Sequence, residues 1–501
     1  MAEDAPTPAA LQAELEALLA ACRPRAAPSP RIGATRWPAP DFAAGAQNLA
    51  CYLALRHREL RPLQRALMPL GLSSLGRIEG RVLPGLQAVA ASLAALSGRP
   101  GLPHPAPAEF FAGEQWLARN TRAVLGPPSP GRPVGLMVTC PSEAAEDPGF
   151  TLALAMRGVE ALRINCAHDD ATAWGRMIAH AEAAEAATGH RMRVIMDLAG
   201  PKIRTGAGLH PAERRRILAG EALAIVPPGG LAAVPPGLAD FAIECSLAEV
   251  LRMVLPRQRV FIDDGRIGAV VEACEGWGLL ARILSAPEDG ARLKPEKGLN
   301  FPDTELHCAA LTDKDRADLD FVARHADGIG YSFVQSAGDV QALQAELAAR
   351  RPQDWRQLAL VLKIETVRAV HALPGIVVQA AGQQPAAIMI ARGDLAVEIG
   401  FARLAEMQEE ILWIGEAAHV PVIWATQVLE HLIRKGAPAA RRDDRCGDGR
   451  ARRMHHAEQG AASAAGAGHA GAAAAPHGRA PAQEDAAAQG AGELVEKKGS
   501  F

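Results

Sequence analysis

The sequence predicts an α/β protein built on a (β/α)8-type barrel. Three observations carry that prediction. From residue 132 onward, short β-type runs alternate with helical stretches. The runs are almost continuously apolar, as strands covered on both faces of a parallel sheet must be. Each run also stops at a polar or charged residue, and in such a barrel the C-terminal strand ends are where chemistry is placed.

Residues 1–131 come first and read as a helical extension. LQAELEALLAAC, NLACYLALRHRELRPLQRALMPL and VLPGLQAVAASLAALSG carry apolar residues at helical spacing between Pro-rich links. They hold no catalytic constellation and suit packing or oligomerisation, so a homo-oligomer is compatible with them. Residues 132–206 open the barrel, with strands expected at 133–139, 160–165 and 192–197. Residues 207–297 break the alternation with Gly/Pro turns around QRVFIDDGRIGAVVEA and GWGLLARILSA, and read as a small inserted β domain. Residues 298–438 resume the barrel, with strands at 327–333, 358–363, 386–391 and 421–427. Seven strand–helix units leave it one short of eight. After Pro438 the text turns to Ala, Gly, Arg and His with no apolar run, so 439–501 reads as a low-complexity tail. The eighth barrel strand is therefore expected to be missing. Two unpaired parallel edges would then leave the core open, and such a chain is expected to fold poorly or lack activity.

Composition narrows the function classes. A formal net charge of −3 over 501 residues gives no electrostatic reason for nucleic acid or anionic membrane as partners. The first residues, MAEDAPTPAALQ, lack the basic region and apolar core of a secretory signal. No run reaches the roughly 18 apolar residues a membrane helix needs. Eight cysteines are scattered without a CxxC pair, which points to a reducing cytoplasmic location and away from disulfides and structural zinc.

The candidate site lies at the strand ends. VLKIE ends one strand with Lys363 and Glu365, and IARGD ends another with Gly393 and Asp394. Two carboxylates at such ends suit a hard divalent cation, Mg²⁺ or Mn²⁺, that keeps several waters. Lys363 would stand beside them as a fixed positive charge for a developing oxyanion. Thr139, Arg163, Asn165, Asp197, Ser332 and Thr426 occupy equivalent strand ends. A ring of such residues is hard to explain by packing alone, because a buried lysine is costly unless paired or functional.

Nine segments in order resemble the pyruvate kinase family over roughly 133–438: RINCAH, DLAGPKIRTG, FIDDGRI, EKGLNFP, LTDKDRADLDF, SFVQSAGDV, KIE, IARGDLAVEI and ATQVLE. The resemblance implies a barrel with the inserted β domain acting as a lid. It implies phosphoryl transfer between phosphoenolpyruvate and ADP, giving pyruvate and ATP. Glu365 and Asp394 would hold the divalent metal, and Lys363 would steady the phosphoryl group and the enolate. Arg163 would contact the phosphoryl group, and Arg204 would help on the nucleotide side. The backbone at Gly393 and Asp394 would face the substrate carboxylate. Thr426 would orient the proton donor, and Asn165 and Asp197 would border the nucleotide phosphates. Two oxygen-bearing positions of the family's K⁺ site are Ala167 and Leu198 in this chain, and the Glu of G-P-E-I-R is Lys202. An ammonium at Lys202 can supply the charge that K⁺ otherwise brings, so K⁺ is expected not to be required. The regulatory domain that many members carry after the barrel is not expected in this tail. Read one base later with suitable codons, Ala440–Arg445 becomes R-A-E-M-T-D and His455–Gly460 becomes I-M-L-N-K, family-like text that marks 439–501 as frame-shifted. Two other readings stay open: a non-catalytic scaffold, favoured by the altered cation site and the tail, and another Mg²⁺-dependent enolate-forming barrel lyase.

Overall fold

A computed structural model describes residues 7–22, 42–72, 74–99, 103–306, 308–425 and 453–457. Six helices lead: α1 (Pro8–Cys22), α2 (Ala43–Arg56), α3 (Arg61–Leu67), α4 (Val82–Leu96), α5 (Pro107–Phe110) and α6 (Ala112–Leu125). The barrel begins with β1 (Gly135–Thr139), α7 (Pro148–Met156), β2 (Ala161–Asn165), α8 (Ala171–Thr188) and β3 (Arg193–Asp197). A second sheet is then inserted: β4 (Thr205–Leu209), β5 (Ala222–Val226), β6 (Phe241–Cys245), α9 (Ala248–Leu251), β7 (Arg259–Ile262), β8 (Ile267–Glu275), β9 (Gly278–Ser285) and β10 (Leu299–Asn300). The barrel resumes with α10 (Asp313–His325), β11 (Gly328–Tyr331), α11 (Ala337–Arg350), β12 (Ala359–Ile364), α12 (Val367–Ala381), β13 (Ala386–Ala391), α13 (Arg392–Ile399), α14 (Phe401–Ala417) and β14 (Val422–Ala425).

One expectation is overturned. The barrel is closed, in the order β1-β15-β14-β13-β12-β11-β3-β2, and β15 is Arg453–Ala457. Met454 registers with Gly135 on one side and Ile423 on the other, both parallel. The eighth strand is therefore present, drawn from a segment with no strand-like apolar run. A parallel ladder pairs backbone N–H and C=O groups, and two open edges offer partners to any extended segment that reaches them.

The inserted domain is a seven-stranded sheet in the order β10-β7-β8-β9-β5-β6-β4, with its own core around Ile225, Phe241 and Val260. Bridging of Arg204 to Gly298 joins its two connections to the barrel.

Barrel strands place alternate side chains inward, in layers. Ala161, Ile195, Ala359, Val361, Ala387, Met389 and Ile423 form an apolar interior cluster together with Val124 and Leu125 of α6, which are 1% and 3% exposed. The N-terminal helices thus supply part of the barrel's own core. They also dock on its outer wall. Asn48 donates to the Ala417 carbonyl at 2.8 Å and to the Glu79 carbonyl at 2.6 Å, and accepts from the Val82 N–H at 2.9 Å. Gly113 has to be glycine, because a Cβ there would stand 2.0 Å from the Gly80 carbonyl oxygen. His419, held at φ 54°, meets that same carbonyl through Nε2 at 2.9 Å. Among the described residues no helix is long and apolar enough to cross a membrane.

Candidate active site

The inward register that buries apolar residues deep in the barrel carries polar ones at its C-terminal rim. On β12 the sequence runs Ala359, Val361, Lys363. On β2 it runs Ala161, Arg163, Asn165, and on β3 Ile195, Asp197. Pairing sets the heights: Thr139 registers with Arg163, Asn165 with Asp197, and Asp197 with Gly330. Period-two alternation and strand register therefore suffice to bring these side chains together. Gly330 leaves the space Asp197 fills, since a Cβ there would sit 1.8 Å from its Oδ1. Helices follow the strands at once because their first turns are capped. Asp170 caps α8, Ser336 caps α11 and Thr366 caps α12.

Lys363 is the centre of the cluster. Its Nζ donates to Ser332 Oγ at 2.8 Å and lies 2.9 Å from Glu365 Oε1 and 3.4 Å from Asp197 Oδ2. Burial works against the ammonium, but the charges of Glu365 and Asp197 outweigh it, so its pKa lies above the ordinary lysine value. It therefore stays charged at neutral pH. Glu365 moves upward: burial raises its pKa, Lys363 opposes, and the charge of Asp394 adds to the rise. The Phe333 N–H steadies its other oxygen at 2.7 Å. Arg163 donates from Nε to Asp197 Oδ2 at 2.7 Å and from Nη1 to Thr139 Oγ1 at 3.1 Å. Asp394 sits in the first turn of α13 and accepts from Lys202 Nζ at 2.9 Å.

The sequence-derived candidates fall into four groups. Lys363, Glu365 and Arg163 share one charge network through Asp197, and Asp394, with Lys202 bound to it, is near enough to act on Glu365. Gly393 precedes Asp394 at the positive end of α13, and Asn165 ends β2 with its Oδ1 accepting from the Ala167 N–H at 3.2 Å. Arg204 stands apart in the connection to the inserted domain, donating to the Glu296 carbonyl at 3.0 Å. Thr426 lies outside the described residues.

Asp197 takes a place the sequence did not assign. It is 0% exposed and joins Arg163 to Lys363. A buried carboxylate paired with two cations offsets their desolvation and fixes their positions. The signal available was an acid ending an apolar strand level with Asn165, one inward step beyond Arg163. Glu398 and Asn300 were also missed. Asn300 Nδ2 donates to Glu398 Oε1 at 3.3 Å across the mouth between inserted domain and barrel, and burial raises the Glu398 pKa to about 7. Both line a cleft of about 540 Å³ with Lys202, Phe301 and Phe333.

A divalent cation can be tested against this donor set. Among the described residues no group of three or more His, Cys, Asp or Glu gathers. Glu365 and Asp394 are two oxygen donors whose mutual repulsion a cation would relieve. Mg²⁺ and Mn²⁺ are commonly held by one or two carboxylates with waters and substrate oxygens completing the shell, so the residues fit such an ion.

Fold and site together define a (β/α)8-barrel protein with a charged rim suited to holding an anion beside a cation. The chain belongs to the pyruvate kinase family: that family's barrel-domain model, "Pyruvate kinase, barrel domain", matches residues 135–445. It is 28% identical over 311 residues to the pyruvate kinase of Clostridium acetobutylicum, covering 60% of each chain. It is 30% identical over 296 residues to a pyruvate kinase of Agrobacterium vitis, covering 59% of this chain and 58% of that one. The matches thus span about three fifths of these relatives' length. A crystal structure of a pyruvate kinase from Cryptosporidium parvum superposes with a TM-score of 0.60 at 22% identity, covering 71% of this chain and 72% of that one, which supports the fold.

Proposed function

We propose that this chain transfers a phosphoryl group between phosphoenolpyruvate and ADP, giving pyruvate and ATP, with Mg²⁺ or Mn²⁺ and without K⁺. The observation that carries the reading is the charged Lys363 held between Glu365 and Asp197, with Arg163 on the same Asp197. Phosphoryl transfer asks mainly for positioning and charge neutralisation. Lys363 offers a fixed ammonium to the phosphoryl oxygens and to the enolate oxygen as charge develops there. Arg163 is anchored through Nε on Asp197 and through Nη1 on Thr139, which orients its guanidinium for the phosphoryl group. The positive end of α13 at Gly393 and Asp394 favours the substrate carboxylate. Glu365 and Asp394 would hold the metal, which when bound withdraws charge from the oxygens it touches. Asn165 and Arg204 would serve the nucleotide side, and Thr426 would orient the proton donor. Lys202 keeps a positive charge at the rim, paired with Asp394, which supports K⁺-independence.

The test is a coupled assay of pyruvate formation from phosphoenolpyruvate and ADP. Turnover that needs Mg²⁺ or Mn²⁺ and is unchanged by KCl supports the reading. Turnover rising steeply with KCl would remove the K⁺ part, and no pyruvate from folded protein at saturating substrates and metal would remove the whole.

A further inference from the structure

The scattered cysteines are not all apart in space. Cys22 is the last residue of α1 and Cys51 lies in α2, and each thiol reaches the other residue's backbone carbonyl. Cys51 Sγ lies 2.9 Å from the Cys22 carbonyl oxygen, and Cys22 Sγ lies 3.8 Å from the Cys51 carbonyl oxygen. The two side chains therefore face each other across the helix pair, 29 residues apart in sequence. Their surroundings make them unequal. The contact with Cys51, helped by the charge of Arg58, lowers the pKa of Cys22, whereas the same contact and burial raise that of Cys51. By contrast, burial raises the pKa of Cys140, Cys166 and Cys245, which makes them poor nucleophiles.

We propose that Cys22 and Cys51 form a dithiol site that a peroxide closes to an intramolecular disulfide. The Cys22 thiolate attacks one peroxide oxygen; the O–O bond breaks, and Cys22 becomes a sulfenic acid as the other oxygen leaves as water. The Cys51 sulfur then attacks the Cys22 sulfur, the S–O bond breaks, and the Cys51 proton leaves with the hydroxyl as a second water. Two thiols lose two electrons and two protons, and one peroxide is reduced to two waters. The thiols are 3% and 2% exposed. The reaction therefore requires the last turn of α1, which Cys22 ends, to open locally. The product ties α1 to α2, and α2 is the helix that Asn48 and the Arg56–Glu410 pair hold to α14. Closure therefore fastens α1 to the barrel wall through α2.

The experiment treats the full chain with hydrogen peroxide, alkylates remaining thiols with iodoacetamide in denaturant, and maps peptides by mass spectrometry. Exposed Cys274 reports that the oxidant acted. The expected result is loss of two alkylation sites, a Cys22–Cys51 linked peptide two hydrogens lighter than its reduced parts, and a higher melting temperature that thiol reductant reverses. In Cys51→Ser, dimedone should trap a sulfenic acid at Cys22; in Cys22→Ser, Cys51 should stay unlabelled. Full alkylation of both residues at a peroxide dose that oxidises Cys274 would overturn the proposal, as would linkage of either to a different cysteine.

Discussion

Lys363→Met is the sharpest test of the site. The substitution keeps the aliphatic stem and removes one charge. In the native chain that charge faces Glu365, which is 2% exposed, and Asp197, which is 0% exposed. Stranding one partner of a buried pair costs about 3–5 kcal/mol. The cost is limited by protonation, because burial has already raised the Glu365 pKa and losing Lys363 raises it further. A carboxyl whose folded pKa lies above its unfolded value favours the folded state below the unfolded pKa, and that contribution is lost as pH rises through the folded pKa. The variant should therefore be least stable relative to wild type at alkaline pH and recover as pH falls. Turnover carries a separate penalty. Removing one fixed group aimed at a developing oxyanion costs about 10²–10³ in kcat. The assays are coupled pyruvate formation and thermal melting across pH on the same preparations. A folded variant turning over within about tenfold of wild type, or one whose destabilisation grows as pH falls, would refute the reasoning.

Other outcomes follow from the same geometry. Lys202→Ala removes the cation 2.9 Å from Asp394, so basal turnover should fall and added KCl should restore part of it; a variant indifferent to KCl would separate Lys202 from cation replacement. His419 has its pKa lowered by burial, against the Gly80 hydrogen bond. The unfolded chain then binds the extra proton, so stability is lost as pH falls below about 6.5. His419→Asn tolerates the positive φ and should flatten that acid-side slope in melting curves; an unchanged slope would clear His419. Asn48→Ala removes three hydrogen bonds that dock the N-terminal helices and should cost about 3 kcal/mol at roughly 1 each. A shift in denaturant midpoint equivalent to less than about 1 kcal/mol would show that this docking does not depend on Asn48.

The barrel was legible where both faces of a strand are covered. AAIMIA over 386–391 is buried at every position, and that leaves an unmistakable apolar run. The rim was legible as a set of strand ends, because charge at the end of such a run has few structural reasons. Roles within the set were not. Asp197 is an acid at a strand end like Asp394, and only its contacts show that it joins Arg163 to Lys363 while Asp394 lies at the first turn of a helix. The eighth strand was hidden because RMHHA carries no apolar period, and backbone pairing leaves no mark on composition. The Cys22–Cys51 contact was hidden because spacing rules read near neighbours, whereas the helix pair brings these thiols together across a long stretch of chain. The amphipathic N-terminal helices announced a buried face without naming its partner.

Val124 and Leu125 give the most practical consequence for anyone trimming this protein. The family match starts at residue 135, which invites a cut just ahead of it. Those two side chains act as a stopper in the barrel's apolar interior, clustered with Met137 and Met389. A shortened version would be uncorked at the end opposite its charged rim, and water would reach a layer that the full chain keeps dry.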